Sequence, residues 1–264
     1  MSPTGMVVPF TKASACGNDF LIIKGSAVRG DHAAFTQRIC DRHNGVGADG
    51  VEWLFPVKGA QTGARLINAD GSAAEISGNG TRCVAAYLCA QRKRKAFVIQ
   101  TGAGLKTCTL TGKSGSTYEF ETAMGIPEIG GSIAIATQFG EIDGIPVSTG
   151  NPHFVIFVDQ VWPNWQKKAA EIQRVVGFRQ GINVELVVVR NPANVDVVFY
   201  ERGVGETQSS GTGSSAAAVA AIVTGRAKSP VRVHAPGGTQ EVQFEKEVFL
   251  RGPATLICEG EFFV

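Results

Sequence analysis

Two short glycine-rich turns carry the residues best suited to chemistry in this sequence. The first is Ser77-Gly78-Asn79-Gly80, the second is Ser210-Gly211-Thr212-Gly213, and each precedes an apolar run. A helix that begins at such a turn presents backbone N–H groups with no partner inside the helix, and these groups bind a carboxylate well. Serine is also a preferred N-cap, so capping explains either turn taken alone. Two matching turns instead favour a shared role in holding the α-carboxylate of a substrate.

An internal repeat links the two turns. The segment Gly17-Asn18-Asp19-Phe20 resembles Gly150-Asn151-Pro152-His153-Phe154, and in both cases the asparagine lies 59 positions before the serine of the following turn. We therefore expect two halves of similar fold related by a pseudo-twofold axis, with the active site in the cleft between them. The predicted junction between the two halves lies near Met124-Gly125-Ile126-Pro127.

The elements that must position these turns are mostly short strands. Runs that are apolar or alternating and bounded by turn residues predict strands at 20–23, 97–100, 105–111, 154–158, 184–189, 195–200, 231–233 and 248–250. One surface helix is predicted from Asp31, a good N-cap, to Asp41. Residues 81–90 and 214–223 are apolar on every side, which is typical of buried helices. The predicted fold class is α/β (α+β), with mixed strands wrapped around one central helix in each half.

Composition and charge narrow the classes of partner. The 264 residues are 44% hydrophobic, and 25 Lys+Arg against 23 Asp+Glu give a net charge of +2 without a basic patch. This pattern argues against nucleic acid and favours a small-molecule partner. The first residues lack the features of a signal peptide, and no apolar run is long enough to span a bilayer, so we expect a cytoplasmic protein with no membrane partner. A homodimer is left open.

Sequence motifs for cofactors and metals are absent, or they lack the flanking strand and helix that such a site requires. The segment Gly45-Val46-Gly47-Ala48-Asp49-Gly50 matches GxGxxG, but it neither follows a predicted strand nor opens a helix, as a dinucleotide site requires. The six cysteines form no CxxC pair, which argues against zinc. No phosphate-binding loop, HExxH motif or Schiff-base lysine is evident. We therefore expect no cofactor and no metal.

Polar residues whose side chains could bind the charged groups of an amino acid precede each serine turn. Asn68 lies in the segment before the first turn, and Glu201 with Arg202 lies before the second. The Glu201 carboxylate can accept hydrogen bonds from an ammonium group, and the Arg202 guanidinium can donate two hydrogen bonds to a carboxylate. A surface ion pair at a strand end is the alternative for Glu201 and Arg202. His153 could likewise be a core histidine whose hydrogen bonds are satisfied within the protein.

Taken together, these motifs resemble the diaminopimelate epimerase family across nearly the whole chain. The resemblance rests on ordered segments: Phe10-Thr11-Lys12, Gly17-Asn18-Asp19-Phe20, Asp41-Arg42-His43, Gly45-Val46-Gly47-Ala48-Asp49-Gly50, Asn68-Ala69-Asp70-Gly71-Ser72-Ala73-Ala74-Glu75, Gly78-Asn79-Gly80-Thr81-Arg82-Cys83, Gly150-Asn151-Pro152-His153, Asn183-Val184, Glu201-Arg202-Gly203-Val204-Gly205-Glu206-Thr207 and Gly211-Thr212-Gly213. It implies two α/β halves, residues 1–123 with 255–264 and residues 124–254, because the last strand of the chain returns to the first half.

The resemblance also implies a reaction. Members of that family invert the α-carbon of LL-diaminopimelate to the meso form, a precursor of lysine and peptidoglycan, with two cysteines as acid and base and no cofactor. Serines stand at both cysteine positions here, Ser77 and Ser210, and His153 and Glu201 are the family-matched residues placed to assist them. The implied substrate-binding residues are Asn18, Asn68, Gly78, Asn79, Asn151, Asn183, Glu201, Arg202, Gly211 and Thr212.

Three functions remain open at this stage because a serine hydroxyl is much harder to deprotonate than a thiol. The first is a working epimerase that uses serines. The second is an amino-acid-binding protein without turnover, either a degenerate homologue or a Cys-to-Ser variant. The third is a racemase, isomerase or lyase of the wider superfamily that acts on another amino acid.

Overall fold

The computed structural model describes residues 7–74, 76–175, 177–178 and 181–264. The chain divides into two compact units. Unit 1 comprises Met1–Thr122 with Gly252–Val264, and unit 2 comprises Ala123–Arg251. Strands dominate the described residues of both units, and in each unit one helix is buried over most of its length.

Unit 1 is built from nine strands and two helices among the described residues, together with a 3-10 turn at Gly25–Ala27. In chain order the elements are β1 (Val7–Ala15), β2 (Asn18–Lys24), α1 (His32–Cys40), β3 (Gly50–Phe55), β4 (Thr62–Asn68), β5 (Ala73–Ala74), α2 (Gly78–Gln91), β6 (Ala96–Thr101), β7 (Gly104–Ser114) and β8 (Thr117–Gly125), whose last residues belong to unit 2. The ninth strand is the distal part of the chain's last strand (Val248–Phe263), which pairs antiparallel with β1.

The two faces of β3 bury different residues because side chains alternate along a strand. Val51 and Trp53 pack in one apolar cluster with α1, and the indole N–H of Trp53 donates to Thr36 Oγ1 at 3.0 Å. Leu54 packs in a second cluster with α2, whose Cys83 is fully buried. The strand therefore lies between two helices, and any polar side chain on it is removed from water.

Among its described residues, unit 2 repeats this plan with its own strands and two helices. Its elements are β9 (Glu128–Ile129), β10 (Ile133–Thr137), β11 (Gly140–Ser148), β12 (Pro152–Phe157), α3 (Trp165–Ile172), β13 (Asn183–Asn191), β14 (Asn194–Glu201), β15 (Gly205–Thr207), α4 (Gly211–Val223), β16 (Val231–Ala235), β17 (Gly238–Phe244) and the first residues of β18 (Val248–Phe263). Helix α4 is the centre of its core, since Ala216–Ala221 are all 0% exposed. Helix α3 packs in a separate cluster with Phe154 and Leu186.

The internal repeat extends to strand register. In unit 1, β2 pairs parallel with β3 through Phe20 and Gly50, and in unit 2, β12 pairs parallel with β13 through His153 and Asn183. Each residue of the second pair lies 133 positions after its counterpart. The residue pairs between β3 and β4 are related to those between β13 and β14 by the same offset of 133 positions. The prediction of two halves with mixed strands around a central helix is confirmed.

The helices begin where the sequence predicts caps. Asp31 caps α1 by accepting from the backbone N–H groups of Ala33 and Ala34, and Ser77 and Ser210 cap α2 and α4. Helix α3 was not expected from the sequence. Its N-cap, Asn164, has φ of 53° and makes no capping hydrogen bond, so the usual start signal is missing. None of the described helices is long and apolar enough to cross a bilayer.

Candidate active site

The Ser77 turn has the geometry of a capped helix N-terminus. Ser77 is in extended conformation (φ −121°, ψ 122°), and its Oγ accepts from the N–H of Gly80 at 3.0 Å. Its carbonyl accepts from both the backbone N–H and the Oγ1 of Thr81. Gly78 is the first residue of α2 and Asn79 the second. The backbone is therefore fixed for an anion to approach the first turn.

The Ser210 turn repeats this geometry in unit 2. Ser210 is extended (φ −141°, ψ 126°), its Oγ accepts from the N–H of Gly213 at 3.1 Å, and its carbonyl accepts from Ser214. Gly211 and Thr212 are the first two residues of α4. Ser210 is 6% exposed, whereas Ser77 is half-buried.

A carboxyl group accompanies the second serine. Burial raises the pKa of Glu201, the nearby Ser210 hydroxyl lowers it in part, the charge of Glu185 raises it further and His153 lowers it. A carboxyl whose pKa is raised and which lies near a hydroxyl is suited to accept and return that proton.

His153 is held entirely by protein groups. It is 0% exposed, with Nδ1 at 2.7 Å from Glu185 Oε1 and Nε2 at 2.9 Å from Asn151 Oδ1. Both ring nitrogens are used in these contacts, so the ring orients the Asn151 side chain. Glu185 is also 0% exposed, and its second oxygen, Oε2, has no hydrogen-bond partner among the described residues.

In unit 1 a chain of hydrogen bonds fixes Asn18. The amide of Asn79 donates to Asn18 Oδ1 at 2.7 Å, and the amide of Asn18 donates to Asp49 Oδ2 at 3.1 Å. Arg82, which is 1% exposed, donates to Asn79 Oδ1 from the other side. Its guanidinium also donates to the carbonyls of Gly78 and Pro253. The first turn of α2 and the Asn18 side chain are therefore positioned together.

The remaining predicted binding residues lie at strand ends. Asn68 ends β4 and donates through Nδ2 to Ser72 Oγ at 3.0 Å. Asn183 begins β13, accepts from the backbone N–H of Arg202 at 2.8 Å and donates to the Pro152 carbonyl. Arg202 is exposed, directly after the end of β14. Unit 2 therefore groups Ser210 with Glu201, His153 with Asn151, and Asn183 with Arg202, while unit 1 groups Asn18 with Asn79.

Two buried glutamates were missed from the sequence. Glu52 is 3% exposed on β3, and Glu185 is its counterpart 133 positions later on β13. Each packs against the third residue of a capped helix: a Cβ on Gly80 would lie 2.0 Å from Glu52 Oε1, and a Cβ on Gly213 would lie 2.9 Å from Glu185 Oε1. The repeat offset, applied to the charged residues inside apolar strand runs, was the signal that could have found them.

Among the described residues, no three His, Cys, Asp or Glu side chains form a cluster that could hold a metal ion. Burial raises the pKa of the Cys83 and Cys16 thiols above the usual thiol range. The polar groups at each helix N-terminus are therefore hydroxyls, amides and carboxyls.

Solved structures share this fold. A hydroxyproline epimerase from Agrobacterium vitis aligns with a TM-score of 0.72 at 16% identity, covering 98% of this chain and 93% of its own. A phenazine biosynthesis protein of the PhzF family from Bacillus anthracis aligns with a TM-score of 0.74 at 14% identity, covering 98% and 99%. The class is thus the two-unit fold that these epimerase and PhzF structures have in common.

Sequence comparison defines the family within that class. A family model described as diaminopimelate epimerase matches residues 10–128 and 145–257. The diaminopimelate epimerases of Pelotomaculum thermopropionicum and Elusimicrobium minutum are 35% and 34% identical to the chain, with 96% of this chain and 98% of each relative covered. The chain belongs to the diaminopimelate epimerase family, whose members are isomerases.

Proposed function

We propose that the protein inverts the α-carbon of diaminopimelate between the LL and meso forms without a cofactor, in lysine and peptidoglycan precursor synthesis. The observation that carries the proposal is the Ser210 hydroxyl at the capped N-terminus of α4, which lies near the half-buried Glu201 carboxyl and lowers its pKa. The relatives named diaminopimelate epimerase, which match nearly the whole chain, support the choice of substrate.

The proposed reaction is a two-base inversion. The substrate α-carboxylate binds at the helix N-termini, whose N–H groups stabilise the charge that develops as the α-carbon loses its proton. On one face, Ser210 Oγ takes the α-proton while the Glu201 carboxylate takes the hydroxyl proton of Ser210. On the other face, the Ser77 hydroxyl delivers a proton to the α-carbon and takes a replacement proton from solvent, while Glu201 returns its proton to solvent. In the reverse direction each of these proton transfers runs backwards.

The remaining residues have binding and positioning roles in this proposal. Asn18, Asn68, Asn151, Asn183 and Arg202, together with Glu201, read the distal amino-acid end of the substrate. Gly78, Asn79, Gly211 and Thr212 supply the backbone of the two turns. His153 acts through Asn151, because both of its ring nitrogens already contact protein groups.

Hydrogen exchange tests the proposal directly. Purified protein is incubated with LL-diaminopimelate in deuterium oxide, and deuterium at the α-carbon and the LL-to-meso ratio are followed together. Ser77→Ala, Ser210→Ala and Glu201→Gln should each abolish inversion, while the exposed loop variant Ser132→Ala should behave as the parent. Tight binding of diaminopimelate by the parent with neither exchange nor inversion would replace the proposed activity with ligand binding alone.

Residence in the cytoplasm and a homodimer are part of the proposal as predictions. Cell fractionation measures the first, and light scattering on the purified protein measures the second.

A further inference from the structure

Glu52 is a buried carboxyl that the proposed reaction does not use. It lies on the face of β3 that packs against α2, between Ile22 of β2 and Leu66 of β4 in the strand pairings. Its Oε1 lies so close to the Cα of Gly80 that a Cβ there would be 2.0 Å away, and the same Cβ would be 3.3 Å from Ser77 Cβ. The carboxyl therefore lies directly beneath the turn that Ser77 caps.

Comparison of the two repeats shows that the Glu52 carboxyl lacks the histidine partner that its counterpart has. Its counterpart Glu185 contacts the imidazole of His153 at 2.7 Å. The residue equivalent to His153 in unit 1 is Phe20, which is 4% exposed in the apolar cluster around α2. Among the described residues, no hydrogen bond or ion pair holds the Glu52 carboxyl. A buried carboxyl without a cation favours its neutral form.

In the part of the chain that the structure describes, no charged group of the surrounding elements pairs with the Glu52 carboxyl. Burial is the one cause that raises the pKa of Glu52, to about 8. The guanidinium of Arg82 is directed to Asn79, Gly78, Pro253 and Cys16 instead. The titratable or charged groups of the elements packed around β3 are Asp19 and Lys24 on β2, Arg65 on β4, His32 and Arg38 on α1, and Arg82, Cys83 and Tyr87 on α2.

We propose that Glu52 is a positioning residue that acts through the Ser77 turn: its protonated form leaves the turn open to the carboxylate of a substrate, and its ionised form weakens that binding. The physical reason is that an anion at a helix N-terminus competes with a second anion for the same partial positive charge. The inference rests on the proposed use of the Ser77 turn as a carboxylate site.

The first test is the pH dependence of binding, measured by calorimetry with meso-diaminopimelate between pH 6.5 and 9. In the parent, affinity should fall by about tenfold across this range, which corresponds to about 1.4 kcal/mol of repulsion. In Glu52→Gln the affinity should fall by less than about twofold over the same pH range, after correction for ionisation of the ligand itself. The control Glu119→Gln, at an exposed site in the same unit, should keep the parental profile. The same profile in the parent and Glu52→Gln would overturn the inference.

A second test does not depend on the substrate. Ser77→Cys places a thiol at the same turn, and its alkylation rate by iodoacetamide as a function of pH reports the pKa of that thiol, with the modified site identified by mass spectrometry. The thiol pKa should be lower in Ser77→Cys/Glu52→Gln than in Ser77→Cys. Equal thiol pKa values would overturn the proposed role of Glu52, even if diaminopimelate proved not to be the ligand. A difference in thiol pKa without diaminopimelate binding would support the role of Glu52 and reject the proposed substrate.

Discussion

The Ser210 hydroxyl lies near the Glu201 carboxyl at the N-terminus of α4 and lowers its pKa, although the two residues are nine positions apart in the chain. They are close because β14 ends at Glu201 and β15 returns antiparallel beside it, which leads the chain back to the start of the helix. A half-buried carboxyl and a capping hydroxyl are thereby placed near each other. The chemistry of unit 2 depends on this pair.

The double change Ser77→Cys/Ser210→Cys should increase inversion of diaminopimelate greatly. Helix N-termini lower thiol pKa values to about 3.5–7.5, so a cysteine at either turn is substantially ionised near neutrality, while a serine in the same field stays protonated. Each single change should give α-proton exchange with little inversion, because one thiol supplies only one of the two roles. Circular dichroism of turnover and deuterium incorporation measure both. A double variant that binds diaminopimelate but neither exchanges nor inverts it would contradict the expectation.

Glu201→Ala and Arg202→Ala should each weaken diaminopimelate binding by about 1.5–3 kcal/mol, the range for hydrogen bonds to charged groups. Calorimetry at constant pH and salt measures the change. Arg190→Ala, which removes an exposed arginine paired with Asp196, is the matched control and should leave affinity as it is. Unchanged affinity in both site variants would mean that another part of the chain reads the distal end of the ligand.

Gly80→Ala should destabilise unit 1 by about 1–3 kcal/mol through overpacking. The added Cβ would lie 2.0 Å from Glu52 Oε1, so this side chain, which is 3% exposed, would have to shift within the protein interior. Gly63→Ala is the matched control, since its nearest neighbour would be at an ordinary 3.5 Å. Urea denaturation followed by circular dichroism compares the two, and equal midpoints would show that the Glu52 side chain can move aside.

Arg82→Met should lower stability by about 1–3 kcal/mol, because it removes the donor to the Pro253 and Gly78 carbonyls and to Asn79 and leaves buried acceptors unpaired. The same substitution at the exposed Arg92 serves as the control. Urea midpoints measure both. A loss no larger than that of the control would mean that water replaces the guanidinium at these acceptors.

Glu52 should also make stability depend on pH in a defined direction. Its pKa in the folded state is about 8, above the reference value of 4.5, so the native state holds a proton that the unfolded chain releases between these values. The stabilisation is complete below the unfolded pKa and is lost as pH rises toward about 8. Urea midpoints of Glu52→Gln should fall less than those of the parent between pH 5 and 9. Parallel curves would contradict the assignment.

Local sequence signals predicted the elements around the two turns well. Asp31, Ser77 and Ser210 are residues whose side chains cap a helix wherever it begins, so their positions could be inferred from type alone. The paired motifs around Asn18 and Asn151 predicted the repeat, because repeated residues imply repeated local structure. Helix α3 escaped prediction because Asn164 provides no capping bond and the helix has only 8 residues.

Contacts between distant segments could not be predicted in this way. Glu52 follows Val51 and precedes Trp53 in an apolar run, and nothing in those neighbours indicates which helix covers the strand. The Arg82 guanidinium donates to the carbonyl of Pro253, 171 positions away, and no local pattern specifies that partner. Such pairs depend on the packing of whole elements, and the sequence alone does not rank the alternatives.

The last strand, β18, has a consequence for how the protein is made. Its first residues complete unit 2 beside β17, and its later residues pair with β1, which stands at the start of unit 1. Unit 2 ends at Arg251, whereas unit 1 needs Gly252–Val264. During synthesis, unit 2 therefore has all of its strands before unit 1 does, although unit 1 begins earlier in the chain. Unit 1 must wait with an open β1 edge until Gly252–Val264 have been made, and this interval is when aggregation or chaperone binding is most expected.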